Sequence, residues 1–247
     1  MKVAVLGATR GMGRAVARQL VERKDTVFVL GREAVSNERS ARDLEIRGGV
    51  AQGAVGTAEC DLLDPATFGA ALQAAENTMG GLDAVVVTAG LFASQAELEA
   101  DPALAQRVLT ANFTNTVLFC EEARKRLLAR GGGILCVWSS VAGERGRKPV
   151  GLYGASKAGL SRYLEALDHK YRADGLRTIT VKPGFVKTDM TRGLKPPPFA
   201  GEPEAVARAA IKAMDRGKPV VYAPAMWALV MFVIRLLPRF VMRKIGF

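Results

Sequence analysis

The chain has 247 residues, 49% of them hydrophobic, and a formal net charge of +11. Its length and composition are typical of one large globular domain. The Lys and Arg residues are scattered, without a basic run or interleaved aromatic residues, so the composition argues against a nucleic-acid partner and favours anionic cofactors, anionic substrates or an anionic membrane surface.

The cysteines and the first residues predict the compartment. Cys60, Cys120 and Cys136 have no metal-ligand spacing and lie in apolar or helical contexts, so we expect buried free thiols, no metal and a reducing cytoplasm. The apolar stretch at 1–7 is too short for a signal peptide. No run reaches the ~18 apolar residues of a membrane-spanning helix.

Short β-branched apolar runs alternate with longer helical stretches along the chain, which is the pattern of a parallel sheet covered on both faces. The predicted strands are 3–6, 26–30, 53–60, 84–88, 133–139, 177–182 and 219–222. The predicted helices are 13–24, 64–79, 103–130, 152–174 and 204–216. Neither a repeat nor a linker interrupts this order, so we predict one α/β domain.

A glycine-rich loop follows the first predicted strand and precedes a helical stretch. It contains Gly7, Gly11 and Gly13, with Thr9 and Met12 between them. At such a position backbone N–H groups can meet a pyrophosphate, and a side chain in place of glycine would block it or demand a forbidden φ. A tight turn without a ligand is the alternative, but the strand–loop–helix context favours a dinucleotide.

The residues after the second strand indicate which dinucleotide binds. An acidic residue there would bind the ribose hydroxyls of NAD, whereas this chain has Arg32 there and Arg10 in the glycine loop. Two guanidinium groups suit the 2′-phosphate, so we predict NADP(H) over NAD(H), the alternative being that either arginine only faces water. Further cofactor contacts are predicted after the third and fourth strands, at Asp61, Leu62, Ala89 and Gly90.

Tyr153 and Lys157 lie about one turn apart on the same face of a predicted helix. An ammonium close to a phenol favours the phenolate and lowers the pKa of the phenol toward neutrality, which suits acid–base catalysis. A serine pair, Ser139 and Ser140, ends an apolar strand upstream. A strand-end cap for the serines and an interface role for the tyrosine are the alternatives, but their order along the chain predicts a redox enzyme.

From 1 to 214, these motifs resemble the short-chain dehydrogenase/reductase family in order and spacing. The resemblance implies a doubly wound Rossmann fold with a mainly parallel seven-stranded sheet, in a single catalytic domain at 1–222. It implies a homodimer or homotetramer, built through the long helices after the fourth and fifth strands. In this family Tyr153 would protonate the carbonyl oxygen, Lys157 would lower the pKa of that tyrosine and bind the nicotinamide ribose, and Ser140 would polarise the carbonyl. Asn112 matches the asparagine that supports a proton-relay water.

The resemblance continues after the sixth strand and also shows departures. The matching residues there are Pro183, Gly184, Val186 and Thr188, of which the last two would contact the nicotinamide carboxamide. Leu6 stands where the family has threonine, and Val87 and Thr88 replace its asparagine pair. We expect these departures to change local hydrogen bonding more than the chemistry.

The segment 223–247 is apolar and basic and contains no acid. Arg235, Arg239 and Arg243 recur every fourth residue, which on one helix would make a basic stripe, and Pro238 would kink that helix or start a new one. Such a segment suits an anionic membrane interface, on the inner face of the membrane for a cytoplasmic protein. Packing on a sister subunit, a roof over the substrate cleft and disorder are the alternatives.

The second half is also similar to the reductases of decaprenylphosphoryl 2-keto-pentose, in the segments 146–149, 217–224 and 235–239. With the Pro-rich flap at 193–198, this implies an NADPH-dependent reductase of an apolar or lipid-linked ketone. Reduction of a 3-oxoacyl or keto-sphingoid substrate remains open, as do a non-catalytic NADP(H) sensor on the same fold and a membrane-interaction module. The sequence does not name the substrate or the physiological direction.

Overall fold

The computed structural model describes residues 1–193, 196–197 and 199–246. Within these residues, seven strands form one parallel sheet: β1 (Lys2–Leu6), β2 (Thr26–Gly31), β3 (Thr57–Glu59), β4 (Ala84–Val87), β5 (Gly133–Trp138), β6 (Leu176–Pro183) and β7 (Val220–Ala223). Their order is β3-β2-β1-β4-β5-β6-β7. The order reverses between β1 and β4, which is where open α/β sheets bind ligands.

Helices cover both faces of this sheet. They are α1 (Gly11–Glu22), α2 (Ala34–Gly48), α3 (Ala66–Met79), α4 (Gln95–Ala100), α5 (Pro102–Leu109), α6 (Asn115–Ala129), α7 (Gly151–Tyr171), α8 (Pro203–Arg216), α9 (Met226–Leu236) and α10 (Arg239–Lys244). A core cluster with α1, α2 and α8 lies on one face, and a second with α3, α6 and α7 lies on the other. Strands β1 and β4 are buried between these two layers, which explains their continuous apolar runs.

The predicted fold class, the parallel sheet and the number of strands are confirmed. Several elements differ from the prediction, among them the short helix α4, which is not predicted. The third strand covers only Thr57–Glu59 of the predicted 53–60, and α2 is an element that the sequence pattern does not predict. The predicted helix at 103–130 is divided, because a π-helical turn at Thr110–Thr114 separates α5 from α6.

The C-terminal segment forms two helices that pack on the chain itself. Pro238 precedes α10, so of the two outcomes expected for this proline it starts a new helix: Arg235 lies on α9, while Arg239 and Arg243 lie on α10. Phe247 and part of the predicted flap, Leu194, Lys195 and Pro198, lie outside the described residues. No helix in the described part of the chain is both long and apolar enough to cross a membrane.

The three cysteines are buried free thiols, as predicted. Burial raises the pKa of the Cys60 thiol to about 12, which keeps it protonated and unreactive at neutral pH. Within residues 1–193, 196–197 and 199–246, no group of histidine, cysteine and acidic side chains could hold a metal ion.

Candidate active site

A cavity of about 480 Å³ opens at the carboxyl ends of β1, β2 and β4. It brings together most of the residues predicted to contact a dinucleotide. These are Gly7, Thr9, Arg10, Gly11, Met12, Gly13, Arg32, Asp61, Leu62, Ala89, Gly90 and Thr188. The cavity therefore lies at the point where the strand order reverses, as expected for a nucleotide site.

The glycine loop is packed too tightly for side chains. Gly7 has a φ of +94°, and a Cβ on Gly13 would lie 2.1 Å from the carbonyl oxygen of Gly7. The hydroxyl of Thr88 donates to the carbonyl oxygens of Leu6 and Gly7, at 3.1 and 3.3 Å. Thr88 therefore links β4 to the loop by hydrogen bonds, at a position where the family pattern has asparagine.

The first turn of α1 is free to bind an anion. Arg10 precedes this helix, and among the described residues no side chain caps it and no acid lies in its first turn. Because the first N–H groups of a helix have no partners within it and lie at the positive end of the helix dipole, they attract phosphate. The residues present therefore fit the pyrophosphate of a dinucleotide.

The ribose end of the cavity carries both signs of charge. Arg32 is more than half exposed, and its Nε donates to Glu33 at 3.3 Å. Hydrogen bonds from Ser36 and Arg32 lower the pKa of the Glu33 carboxyl, and the charge of Arg10 adds to this effect. The two predicted arginines therefore lie within electrostatic reach of one acid that the sequence reasoning passed over, although it adjoins Arg32.

Asn37 is a second residue that sequence reasoning missed, because it lies on the unpredicted helix α2. Its amide donates to the carbonyl oxygens of Gly31 and Ala58, at 2.8 and 3.1 Å, and ties β2 to β3. The side chain is 1% exposed and its Oδ1 has no partner among the described residues. An unpaired acceptor at the cavity wall fits a polar ligand better than an apolar one.

Asn112 is placed by the π-helical turn between α5 and α6. Its side chain is fully buried, and its amide exchanges two hydrogen bonds of 2.7 Å with the backbone of Leu91. A Cβ on Gly90 would lie 3.0 Å from Asn112 Oδ1 and 3.7 Å from Lys157 Nζ. The glycine at the cavity wall thus brings two of the four predicted catalytic residues directly behind the cavity.

Lys157 is buried and Tyr153 is half-buried, and the two lie next to each other on α7. Lys157 Nζ lies 6.0 Å from the centre of the Tyr153 ring and donates to the carbonyl oxygen of Trp138 at 2.9 Å. Burial lowers the pKa of the Lys157 ammonium to about 8. Burial raises the pKa of Tyr153 to about 12, and the hydrogen bond with Ser140 opposes this increase.

The expectation that Lys157 lowers the pKa of Tyr153 is therefore not met in this structure. The amine points to Trp138, and desolvation of the phenol is larger than any favourable charge effect. Phe92 contributes to that desolvation, because its ring packs edge-on against Tyr153 with 5.1 Å between the ring centres. Phe92 also lines the cavity, and no motif in the sequence marks it.

The two serines at the end of β5 have different surroundings. Ser139 is buried, and its hydroxyl donates to the carbonyl oxygen of Lys157 at 3.0 Å and contacts the hydroxyl of Ser161 at 2.7 Å. Ser140 lies beside Tyr153, where it opposes the rise in the pKa of the phenol, and its hydroxyl accepts from the N–H of Ala142 at 3.0 Å. Ser140, the serine selected from the sequence, is thus the one beside the tyrosine.

Three of the four cofactor residues predicted at the end of β6 and beyond it do not line the cavity. Pro183 pairs with Ala223 at the end of β6, and Val186 is buried in the core beside α8. Gly184 lies under Trp227 of α9, since a Cβ there would lie 2.0 Å from the indole nitrogen. In this segment only Thr188 and the two residues after it reach the cavity.

The inner face of the C-terminal helices contacts the loop that follows Ser140. Met231 and Ile234 form a small core with Val141, and Arg145 donates to the carbonyl oxygen of Leu237 at 2.7 Å. Arg235 pairs with Glu144 at 3.3 Å. The inner side of the tail therefore packs on its own chain, against the loop that follows Ser140.

Comparisons with known proteins agree with this geometry. The family model described as short chain dehydrogenase matches residues 1–198. An uncharacterized oxidoreductase of Mycobacterium tuberculosis is 34% identical over 98% of this chain and 96% of its own. Carbonyl reductase family member 4 of Xenopus laevis is 28% identical over 84% of this chain and 88% of its own.

A solved structure is similar to the fold. A variant of actinorhodin polyketide ketoreductase with NADPH aligns with a TM-score of 0.79 at 23% identity, over 89% of this chain and 94% of that chain. The chain thus belongs to the short-chain dehydrogenase/reductase family and is an NAD(P)-dependent oxidoreductase.

Proposed function

We propose that this enzyme uses NADPH to reduce a ketone on an apolar or lipid-linked substrate. The observation that carries the proposal is that Asn112 and Lys157 lie buried directly behind Gly90, with Tyr153 next to Lys157 and Ser140 beside Tyr153. A phenol, a hydroxyl and an amine in one water-poor place are suited to delivering a proton to a carbonyl oxygen. The resemblance of the chain to a protein named carbonyl reductase supports the same reaction class.

Tyr153 and Ser140 have different roles in delivering a proton to the carbonyl oxygen. The cofactor, when bound, supplies the hydride. Tyr153 holds its proton at neutral pH because burial raises its pKa to about 12, so it is available as the acid for the carbonyl oxygen. The Ser140 hydroxyl lies beside it to hydrogen-bond the same oxygen and fix its direction.

Lys157 and Asn112 support the acid from behind. The amine of Lys157, with a pKa lowered to about 8, can exchange a proton near neutral pH. Asn112 is locked by its two bonds to Leu91, so it holds the wall between the cavity and Lys157 in one geometry. We assign Lys157 to restoring the proton on Tyr153 after each turnover.

Arg10 and Arg32 support the choice of NADPH. Both arginines line the cavity, and the charge of Glu33 partly neutralises them. If a 2′-phosphate took the place of Glu33 as the partner of Arg32, Glu33 would keep the hydrogen bond that it accepts from Ser36. Glu33 weakens the preference that two free arginines would give, but the balance of charge stays positive.

The cavity walls support an apolar substrate. Leu91, Phe92 and Met190 line it, Leu91 beside Asn112 and Phe92 beside Tyr153, and Met190 is 45% exposed. Phe199 is similarly exposed, and its carbonyl oxygen accepts from Trp227 of α9 at 3.2 Å. We assign the substrate to this part of the cavity and expect ketones with long apolar chains to react faster than short ones.

The assembly proposed for the enzyme is a homodimer or homotetramer. The long helices α6 and α7 follow β4 and β5, and the face near them exposes Phe113 and Leu118. Light scattering on the purified protein measures the oligomer directly, and a monomer at micromolar concentration contradicts this assignment.

The test is Tyr153→Phe, assayed with NADPH and a panel of apolar ketones, including 3-oxoacyl thioesters. NADPH binding stays within about twofold, while turnover falls by roughly 10²–10⁴-fold because the general acid is gone. Tyr163→Phe is the matched control on the same helix, since its hydroxyl bonds Glu121 and not the site. A Tyr153→Phe enzyme that keeps most of its rate rejects the mechanism, and a wild type that binds NADPH but turns over no carbonyl indicates a sensor.

A further inference from the structure

The C-terminal helices expose an apolar surface on the side away from the protein. Five large side chains form it, and we call this set the outer face of the tail. They are Leu229 (62% exposed), Phe232 (54%), Val233 (50%), Leu236 (69%) and Phe240 (64%). The opposite side of α9 is buried through Met231 and Ile234, so this short helix is apolar on both sides. An ordinary surface helix would carry polar residues on the outer side.

Cations adjoin the outer face. Arg239, Arg243 and Lys244 are exposed on α10, beside Phe240. In the described part of the chain, none of them forms an ion pair, whereas Arg235 on the inner side is paired with Glu144. The segment from Met226 onward contains no acid, and the whole chain has a formal net charge of +11.

We propose that the outer face of the tail docks on the anionic surface of a lipid bilayer. Apolar side chains would enter the boundary between headgroups and acyl chains, and Arg239 and Arg243 would meet lipid phosphates. Helix α9 has 11 residues, about 16 Å at 1.5 Å per residue, so it can lie in the interface but cannot span a core of ~30 Å.

The charge distribution favours lipid over a second copy of the chain. In a two-fold symmetric contact the same patch meets itself, which would bring the cations of one copy toward those of the other. The described outer face offers no carboxylate to separate them. Anionic headgroups are complementary to both parts of the surface.

Docking leaves the inner contacts of the tail in place. Trp227 over Gly184, and Met231 and Ile234 against Val141, all lie on the side that faces the protein. The membrane would therefore contact helices that themselves support the loop after Ser140. The proposal does not depend on the reaction or on the choice of cofactor, so it can fail or hold by itself.

The experiment is flotation of the full chain with vesicles of phosphatidylcholine, with and without phosphatidylglycerol. We expect the protein to float with the anionic vesicles. Arg239→Glu with Arg243→Glu should lower the partition coefficient by at least about tenfold, because each cation near an anionic surface contributes to binding. Phe232→Ser with Leu236→Ser should lower it as well.

The matched control is the triple variant of Arg39→Glu, Arg42→Glu and Ile46→Ser on α2, which changes two exposed cations and one exposed apolar side chain. It should float as the wild type does. Equal losses in the control and tail variants would overturn the proposal, since binding would then follow only net charge. The proposal would also be overturned if the wild type does not float and the tail variants lose a dimer that light scattering detects in the wild type. That result would assign the surface to contact with a second copy of the chain.

A second measurement locates the tail. With the emission of Trp138 and Trp227 in the wild type as the baseline, Phe232→Trp should add emission that brominated lipids in anionic vesicles quench, and Ile46→Trp should add emission that they do not quench. All these side chains are exposed, so we expect the melting temperature measured by circular dichroism to be unchanged. If a variant melts at a lower temperature, the quenching of Phe232→Trp is used in its place to test docking. Absence of quenching at Phe232→Trp contradicts docking by this face.

Discussion

Tyr153 and Lys157 lie side by side, half-buried and buried respectively, and desolvation moves their pKa values in opposite directions. The pKa of the phenol rises to about 12 and that of the ammonium falls to about 8. Because burial disfavours the charged form of each group, the proton prefers the tyrosine over the lysine. This order of acidities suits a tyrosine that keeps its proton until a carbonyl oxygen takes it.

The shifted pKa of Lys157 predicts a pH-dependent stability. In the unfolded chain this amine titrates near 10.5, above its pKa of about 8 in the folded protein, so the unfolded chain binds the proton more tightly between these values. The cost of the buried charge is full below pH 8 and is gone above pH 10.5. The stability of the wild type relative to Lys157→Met should therefore rise by about 3 kcal/mol across this window.

Urea unfolding of both proteins at a series of pH values measures that difference. Other titrating groups are common to the two proteins and cancel. Lys212→Met, which removes an exposed lysine of α8, is measured alongside as the control variant. A constant difference for Lys157→Met would mean that the amine titrates as an exposed lysine does.

At the scale of elements, Glu144 joins three parts of the fold that surround the site. Its carboxylate pairs with Lys182 of β6 at 2.5 Å and with Arg235 of α9 at 3.3 Å, and it lies in the loop after Ser140. The Glu144 side chain is 6% exposed and that of Lys182 is 13% exposed. A nearly buried carboxylate between two cations therefore ties the tail and the sheet to the loop that follows Ser140.

Glu144→Gln should lower the free energy of unfolding by about 2–3 kcal/mol, because it leaves the poorly hydrated Lys182 without a counter-charge. Glu165→Gln is the control, since Glu165 pairs with Arg162 on the surface, and it should cost less than about 1 kcal/mol. Urea unfolding compares the two. Equal effects would mean that the Glu144 network is solvated and does not hold the tail.

The elements that the sequence did not predict depart from the regular apolar period of an α-helix, each in its own way. The buried side of α2 includes Asn37 and Glu45 among few apolar residues, so the helix shows no apolar period. The π-helical turn that places Asn112 adds one residue to a turn, which a search with a fixed period of 3.6 reads as continuous helix. Motifs with backbone requirements, such as Gly7 and Gly13, were recognisable because close packing leaves only glycine.

At the scale of the whole molecule, the cavity collects residues from Gly7 to Met190, which only the finished sheet brings together. The sequence marked most of these residues by motif. It could not mark Phe92 against Tyr153, or Trp227 over Gly184, because these contacts join segments far apart in the chain. The sequence also could not predict how far Glu33 neutralises the charge of Arg32, since that depends on the side-chain conformations of Arg32, Glu33 and Ser36.

Because the cofactor cavity draws on so much of the fold, cofactor binding should stabilise the molecule as a unit. A ligand that binds only the folded chain adds about 2.7 kcal/mol at one hundred times its dissociation constant. For a domain of this size that raises the melting temperature by roughly 5–10 °C. We expect NADPH to give a larger shift than NADH at equal concentration, because Arg10 and Arg32 can meet the 2′-phosphate.

Arg32→Glu tests whether the preference comes from this arginine. The variant adds a second acid beside Glu33, so the shift caused by NADPH should nearly vanish while that caused by NADH is retained or increased. Arg39→Glu, an exposed change elsewhere on α2, should leave both shifts as they are in the wild type. Differential scanning calorimetry with each nucleotide, supported by fluorescence titration, gives both numbers. If NADH stabilises the wild type as much as NADPH does, Arg10 and Arg32 do not bind the 2′-phosphate and only face water. Substrates should then be sought among those of NADH-linked reactions.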